Sequence, residues 1–107
     1  DGDEIIRKLR FSAFIQGSSN LEDILRARVM DTVIVTGVAT NICCESTARD
    51  AMMLNFRTIM VADANAAATD AEHNATLAII HTRFGDVRDT ADVVTMLEAS
   101  KKAAAAE

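Results

Sequence analysis

Proline is absent from these 107 residues, as are tryptophan and tyrosine, and phenylalanine and glycine occur four times each. Each shortage excludes something. Without proline, any cis peptide bond here joins two non-proline residues, which is rare. With few aromatics to stack on bases, and 16 acidic residues dispersed against 11 basic ones, the chain carries no nucleic-acid footprint. No apolar run approaches the length needed to cross a bilayer. The start, Asp1-Gly2-Asp3-Glu4, lacks the basic and apolar pattern of a signal peptide. Cys43 and Cys44 are neighbours, a spacing that strains a disulfide, and no cluster of further ligands makes them a zinc site. No metal or other cofactor is expected, and the free thiols fit a reducing, cytoplasmic compartment.

What is present reads as one α/β unit. Residues 4–8 suggest a short strand and residues 10–19 a loop holding Phe11 and Phe14. Asn20 is placed to cap a helix over 21–28, with Glu22 and Asp23 in its first turn and Arg26 and Arg28 in its last. The apolar run Thr32-Val33-Ile34-Val35-Thr36 predicts a buried central parallel strand over 31–38. A helix over 41–54 follows, with Glu45 and Arg49 paired on its wet face, and then a second buried strand over 57–62 ending at Asp63.

Thr69-Asp70-Ala71-Glu72 is a capping box for a helix to about Phe84, and Gly85 is its C-terminal stop. Residues 86–88 suggest an edge strand, and Thr90 a cap for a last helix through Leu97. The alternation predicts a three-layer sheet of parallel strands flanked by helices. The tail over 100–107 has no face to bury and is expected to fray.

Chemistry concentrates where the second expected strand hands over to a helix. Gly37-Val38-Ala39-Thr40-Asn41-Ile42-Cys43 puts a cysteine at the carboxyl end of a strand, where open α/β sheets bind ligands. The N–H groups of a helix start favour a thiolate and an oxyanion. The plain alternative is a small apolar core residue, and that is the reading for Cys44. Thr40 and Asn41 are candidates to fix the turn through side-chain hydrogen bonds, as ordinary caps do. Asp63 reads as a structural cap rather than a catalytic acid. His73 and His81, eight apart on one expected helix, lack a third metal ligand. Met52, Met53, Met60 and Met96 read as core filler.

Four ordered segments resemble the isochorismatase-like cysteine hydrolases: Lys8-x-Arg10-Phe11-Ser12-Ala13-Phe14, the stretch from Gly37 to Cys43, Ser46-Thr47-Ala48-Arg49-Asp50-Ala51, and Val61-Ala62-Asp63-Ala64. The match looks closest to the ureidoacrylate and carbamoyl-amide amidohydrolases. The resemblance implies a Rossmann-like fold and an Asp–Lys–Cys triad with Cys43 as nucleophile and Lys8 as its lysine. It implies an oxyanion hole from the N–H groups of Ala39 and Cys43, and a cis bond between Val38 and Ala39. Arg10, Phe11, Phe14 and Asn41 become candidate contacts for a small amide or ureido substrate.

In that family the aspartate precedes the lysine by a whole strand. The 107 residues therefore read as the C-terminal part of a hydrolase domain lacking the first strands. The acid is expected from a missing upstream segment or from another chain, as a homo-oligomer or a complementary chain carrying the N-terminal half, and this chain alone is expected to be inactive. The rival readings are a non-catalytic truncated module acting as an assembly subunit, and a redox-active Cys43–Cys44 pair. No membrane or nucleic-acid partner is expected.

Overall fold

The computed structural model describes residues 2–106; Asp1 of the acidic start and Glu107 of the tail lie outside it. Helix α1 (Leu21–Ala27) leads into strand β1 (Thr32–Val38), and a single wide turn of helix (Thr40–Cys44) runs into α2 (Glu45–Met53). Strand β2 (Arg57–Ala66) is followed by α3 (Asp70–Ile79), which continues through a second wide turn (Ile80–Phe84) to strand β3 (Asp86–Arg88) and helix α4 (Thr90–Ala106). The strands form one parallel sheet in the order β1-β2-β3. Parallel neighbours need long crossovers, which α2 and α3 supply.

Alternation along the strands sorts the side chains into two layers of packing. Val33 and Val35 of β1 and Met60 of β2 face α2 and α3, where they meet Cys44, Ala48, Leu77 and Ile80. Ala48, Met60 and Ile80 are fully buried there. The intervening Ile34, Ile59 and Val61 face the other way, onto Val93 of α4. Phe14, Ala51 and Phe56 close a third cluster under α1, with the Phe14 and Phe56 ring centroids 5.5 Å apart. The expected three-layer arrangement is therefore present. Each aliphatic side chain so buried contributes about 1.5–3 kcal/mol.

The β1–β2 pairing contains a bulge that shapes the site. Partners run regularly from Thr32↔Arg57 to Val35↔Met60 and resume at Gly37↔Asn65, two steps along β1 against five along β2. The Asn65 side chain fills the break: its Nδ2 donates to the carbonyls of Val35 (3.0 Å) and Val61 (2.6 Å). Gly37 has φ +122, a conformation that side-chain-bearing residues rarely adopt. The backbone thus changes course just before Ala39, and the Val38–Ala39 peptide is cis, as the resemblance implied.

Several expectations are corrected. Residues 4–8 belong to no strand, since none of them pairs with β1, β2 or β3; Ile5 is 97% exposed. The run over 32–36 forms the edge rather than the centre of this sheet, and of its side chains just Val35 is buried. The second strand extends past Asp63 to Ala66, because the bulge lets Asn65 and Ala66 pair with Gly37 and Val38. The last helix passes Leu97 and continues to Ala106, with its final turns fully exposed.

Capping also differs in detail. Asn20 makes no side-chain cap; the Ser19 hydroxyl accepts the Leu21 N–H at 3.1 Å instead. Asp89, not Thr90, caps α4, accepting the Asp92 N–H at 2.8 Å. Thr69 does cap α3, accepting the Glu72 N–H at 3.2 Å. Gly85 stops the preceding turn, yet its φ of 178 is extended. It is glycine for space: a Cβ there would lie 2.3 Å from the Thr58 carbonyl oxygen. Met60 is core, but Met53, the last residue of α2, and Met96, within α4, are exposed.

Candidate active site

The turn at the end of β1 is built from backbone hydrogen bonds to the carbonyls of Ala39, Thr40 and Ile42. The Ala39 carbonyl accepts from Ile42 N–H (3.1 Å) and Cys44 N–H (3.2 Å). The Glu45 N–H points back to the carbonyls of Thr40 and Ile42. This wide turn separates the two thiols. Cys44 is 5% exposed and packs into the core against Val35 and Ala48. Its thiol is pushed up from the ordinary range by burial and by the neighbouring Cys43, against an opposing pull from Lys8. Cys43 is half-buried and opens onto a groove of about 300 Å3 along β1, lined also by Lys8, Val35, Thr36, Val38, Thr47 and the edge of Cys44.

Lys8 reaches this groove from the exposed segment before the loop. Its Nζ lies 3.6 Å from Cys43 Sγ, across 35 residues of sequence. It also donates to the carbonyls of Arg10 (3.0 Å) and Phe11 (3.2 Å). Those three partners match the three donors of an ammonium group. Among the described residues no carboxylate lies within ion-pairing distance of Lys8.

The loop after Lys8 is held by hydroxyls. Ser18 Oγ accepts the Arg10 N–H (3.2 Å) and donates to the Ser12 carbonyl (2.5 Å), while Ser12 Oγ accepts the Phe14 N–H at 3.0 Å. Both serines are buried. Thr47 Oγ1 on α2 accepts the Ala13 N–H at 3.1 Å, which ties the loop to the helix that follows the cysteine.

The other candidates are distributed differently. Arg10 and Phe11 line a separate groove of about 430 Å3 with Ser46, Arg49 and Asp50. The Arg10 guanidinium donates to the Leu9 carbonyl at 2.9 Å. Phe14 is 6% exposed and packs in the core, because its neighbours Ala51 and Phe56 close over it. It also edges a larger cavity, about 520 Å3, which has no lining residue in common with the Cys43 groove. Asn41 stands half-buried inside the turn.

Asp63 Oδ1 accepts from Thr90 Oγ1 (2.7 Å) and Thr90 N–H (2.8 Å), tying β2 to the start of α4. Those bonds, the hydroxyl's above all, hold its carboxyl below the usual range. The Glu45–Arg49 pair is formed at 2.9 Å, but it is half-buried against α3 rather than on a wet face. Sequence reasoning missed two partners of this region: His73, whose Nδ1 lies 2.8 Å from Thr40 Oγ1, and Thr76, which donates to Glu45 Oε1 at 2.7 Å. Their three-residue spacing on α3 was the available signal.

Residues 1–92 match the Isochorismatase domain. An uncharacterized isochorismatase family protein of Bacillus subtilis, YwoC, is 39% identical over 98 residues, covering 92% of this chain and 51% of its own length. Ureidoacrylate amidohydrolase RutB of Methylobacterium radiotolerans is 40% identical over 105 residues, covering 97% of this chain and 40% of its own. A cysteine hydrolase from Pseudomonas syringae pv. phaseolicola superposes with a TM-score of 0.85 at 37% identity, over 91% of this chain and 50% of that one. N-carbamoylsarcosine amidase from Thermoplasma acidophilum does so with a TM-score of 0.71 at 36% identity, over 82% of this chain and 49% of that one. The chain thus spans about half the length, or less, of these relatives. Among the described residues no helix is long and apolar enough to cross a membrane.

Proposed function

The chain belongs to the isochorismatase family of hydrolases, and from that premise we propose that it forms the nucleophile-bearing part of a cysteine hydrolase that cleaves a linear C–N bond in a small amide or ureido compound. The observation that carries the reading is the 3.6 Å approach of Lys8 Nζ to Cys43 Sγ. An ammonium beside a thiol favours its thiolate, the form that attacks a carbonyl. Relatives named for ureidoacrylate and N-carbamoylsarcosine support the substrate class.

Amide and ureido carbonyls are poor electrophiles, so the developing oxyanion needs fixed donors. In this reading the N–H groups of Ala39 and Cys43 supply them. Cys43 Sγ bonds to the carbonyl carbon, the C–N bond breaks, and the leaving nitrogen takes a proton from a carboxylic acid. Water then gives a proton to the carboxylate as its oxygen bonds to the thioester carbon, and the C–S bond breaks, which restores the carboxylic acid and the Cys43 thiolate. The carboxylate comes from outside these 107 residues, on an upstream segment or a complementary or identical chain. The isolated chain is accordingly inactive, and Arg10, Phe11 and Asn41 contact the substrate when the site is complete.

The test is ammonia release from ureidoacrylate, N-carbamoylsarcosine and nicotinamide by this chain, alone and co-expressed with the N-terminal half of the Bacillus subtilis relative. Turnover of one substrate by the complemented protein, lost in Cys43→Ala, is the expected result. Turnover that survives Cys43→Ala, or no turnover from a complemented and folded complex, contradicts the reading.

A further inference from the structure

The polar contacts that grip the cysteine turn come from α3, an element the proposed chemistry does not use. Thr40, the first residue of the turn, is fully buried, and its Oγ1 lies 2.8 Å from His73 Nδ1. Glu45, two residues beyond Cys43, accepts from Thr76 Oγ1 (2.7 Å) through Oε1 and from Arg49 Nε (2.9 Å) through Oε2. His73 and Thr76 stand three apart on α3, so one face of that helix reaches both ends of the segment that carries Cys43. A buried hydroxyl left without a partner is costly, so the Thr40 contact selects one rotamer and one path for the backbone leaving β1.

Resting on the hydrolase reading, we propose that His73 is a positioning residue: through Thr40 it fixes the turn so that the Cys43 thiol meets Lys8, with the Thr76–Glu45 bond as the second anchor. His73 touches no reacting atom. The contact does not demand one charge state, because neutral imidazole can accept from the hydroxyl or donate to it, and imidazolium donates.

The test is the iodoacetamide labelling rate of Cys43 relative to Cys44, resolved by fragment-ion mapping, with the melting temperature of each variant recorded. His73→Leu and Thr40→Val are each expected to lower the Cys43:Cys44 ratio by about fivefold, the scale of one buried hydrogen bond. His73→Asn and Thr40→Ser, which keep a polar partner, recover most of it. The double variant His73→Leu/Thr40→Val is no slower than either single, because both remove the same contact. A role in packing alone would move the melting temperature without this pattern of rescue. An unchanged ratio in the single variants, or effects that simply multiply in the double, overturns the proposal. Should His73→Leu fail to fold, the Thr40→Val and Thr40→Ser pair decides. Ratios that respond while the complemented protein turns over no amide would sink the hydrolase reading and keep the positioning role; the reverse result would do the opposite.

Discussion

The two residues that meet in the Cys43 groove are secured in different ways. Cys43 lies on a turn between a sheet and a helix, with fully buried Thr40 before it and fully buried Ala48 behind it. Lys8 lies on an exposed segment that belongs to no strand and is positioned by a short loop stitched with Ser12 and Ser18 hydroxyls. Global packing therefore sets the thiol, whereas a handful of local hydrogen bonds sets the ammonium. A nucleophile held by the core and a charge held by a loop can be perturbed separately, and that makes the difference testable.

Met60→Ala is the harshest test of the core side. It removes a fully buried side chain between β1, α2 and α3 and should cost about 2–5 kcal/mol in denaturant unfolding. It should also expose Cys44 to alkylation. Gly85→Ala comes next: its Cβ would meet the Thr58 backbone at 2.3 Å, and the forced shift should cost about 1–3 kcal/mol. On the loop side, Ser18→Ala removes one buried and one part-buried hydrogen bond, worth about 1 kcal/mol each. It should slow Cys43 labelling and leave Cys44 as it was, which is the opposite signature to Met60→Ala.

The smallest effect is a pH dependence on the far side of the sheet. Bonds from the Thr90 hydroxyl and N–H hold the Asp63 carboxyl below its ordinary range. The folded form thus binds this proton more weakly than the unfolded form. Its contribution to stability is present above the ordinary carboxylate range and is lost as the pH falls through the folded value. Thermal melts of Asp63→Asn should therefore lose less stability than the parent between neutral and acidic pH.

Much of this arrangement was legible along the chain because it is local or periodic. The apolar run over 32–36 marked β1, and the Thr69–Glu72 spacing marked the start of α3. The Lys8 and Cys43 segments could be recognised together although 35 residues separate them. What was not legible depended on neighbours. Residues 4–8 have strand-like composition, but a strand exists only beside another, and Ile5 has none next to it. Asn20 and Ser19 are equally good caps on paper; the Ser19 hydroxyl also donates to the Ala13 carbonyl at 2.7 Å, which settles its orientation. His73 looked like a spare histidine because its partner, Thr40, lies 33 residues away on another element. The bulge at Asn65 likewise follows from how β1 and β2 meet, not from either run alone.

The central claim is that Lys8 makes Cys43 the reactive thiol, and the most direct measurement is the site-resolved alkylation rate of both cysteines in the parent and in Lys8→Met at neutral pH. The account predicts that Cys43 labels faster than Cys44 in the parent, that Lys8→Met slows Cys43, and that Cys44 does not gain from the loss. Equal labelling of the two thiols in the folded parent, or a Cys43 rate untouched by Lys8→Met, would contradict it.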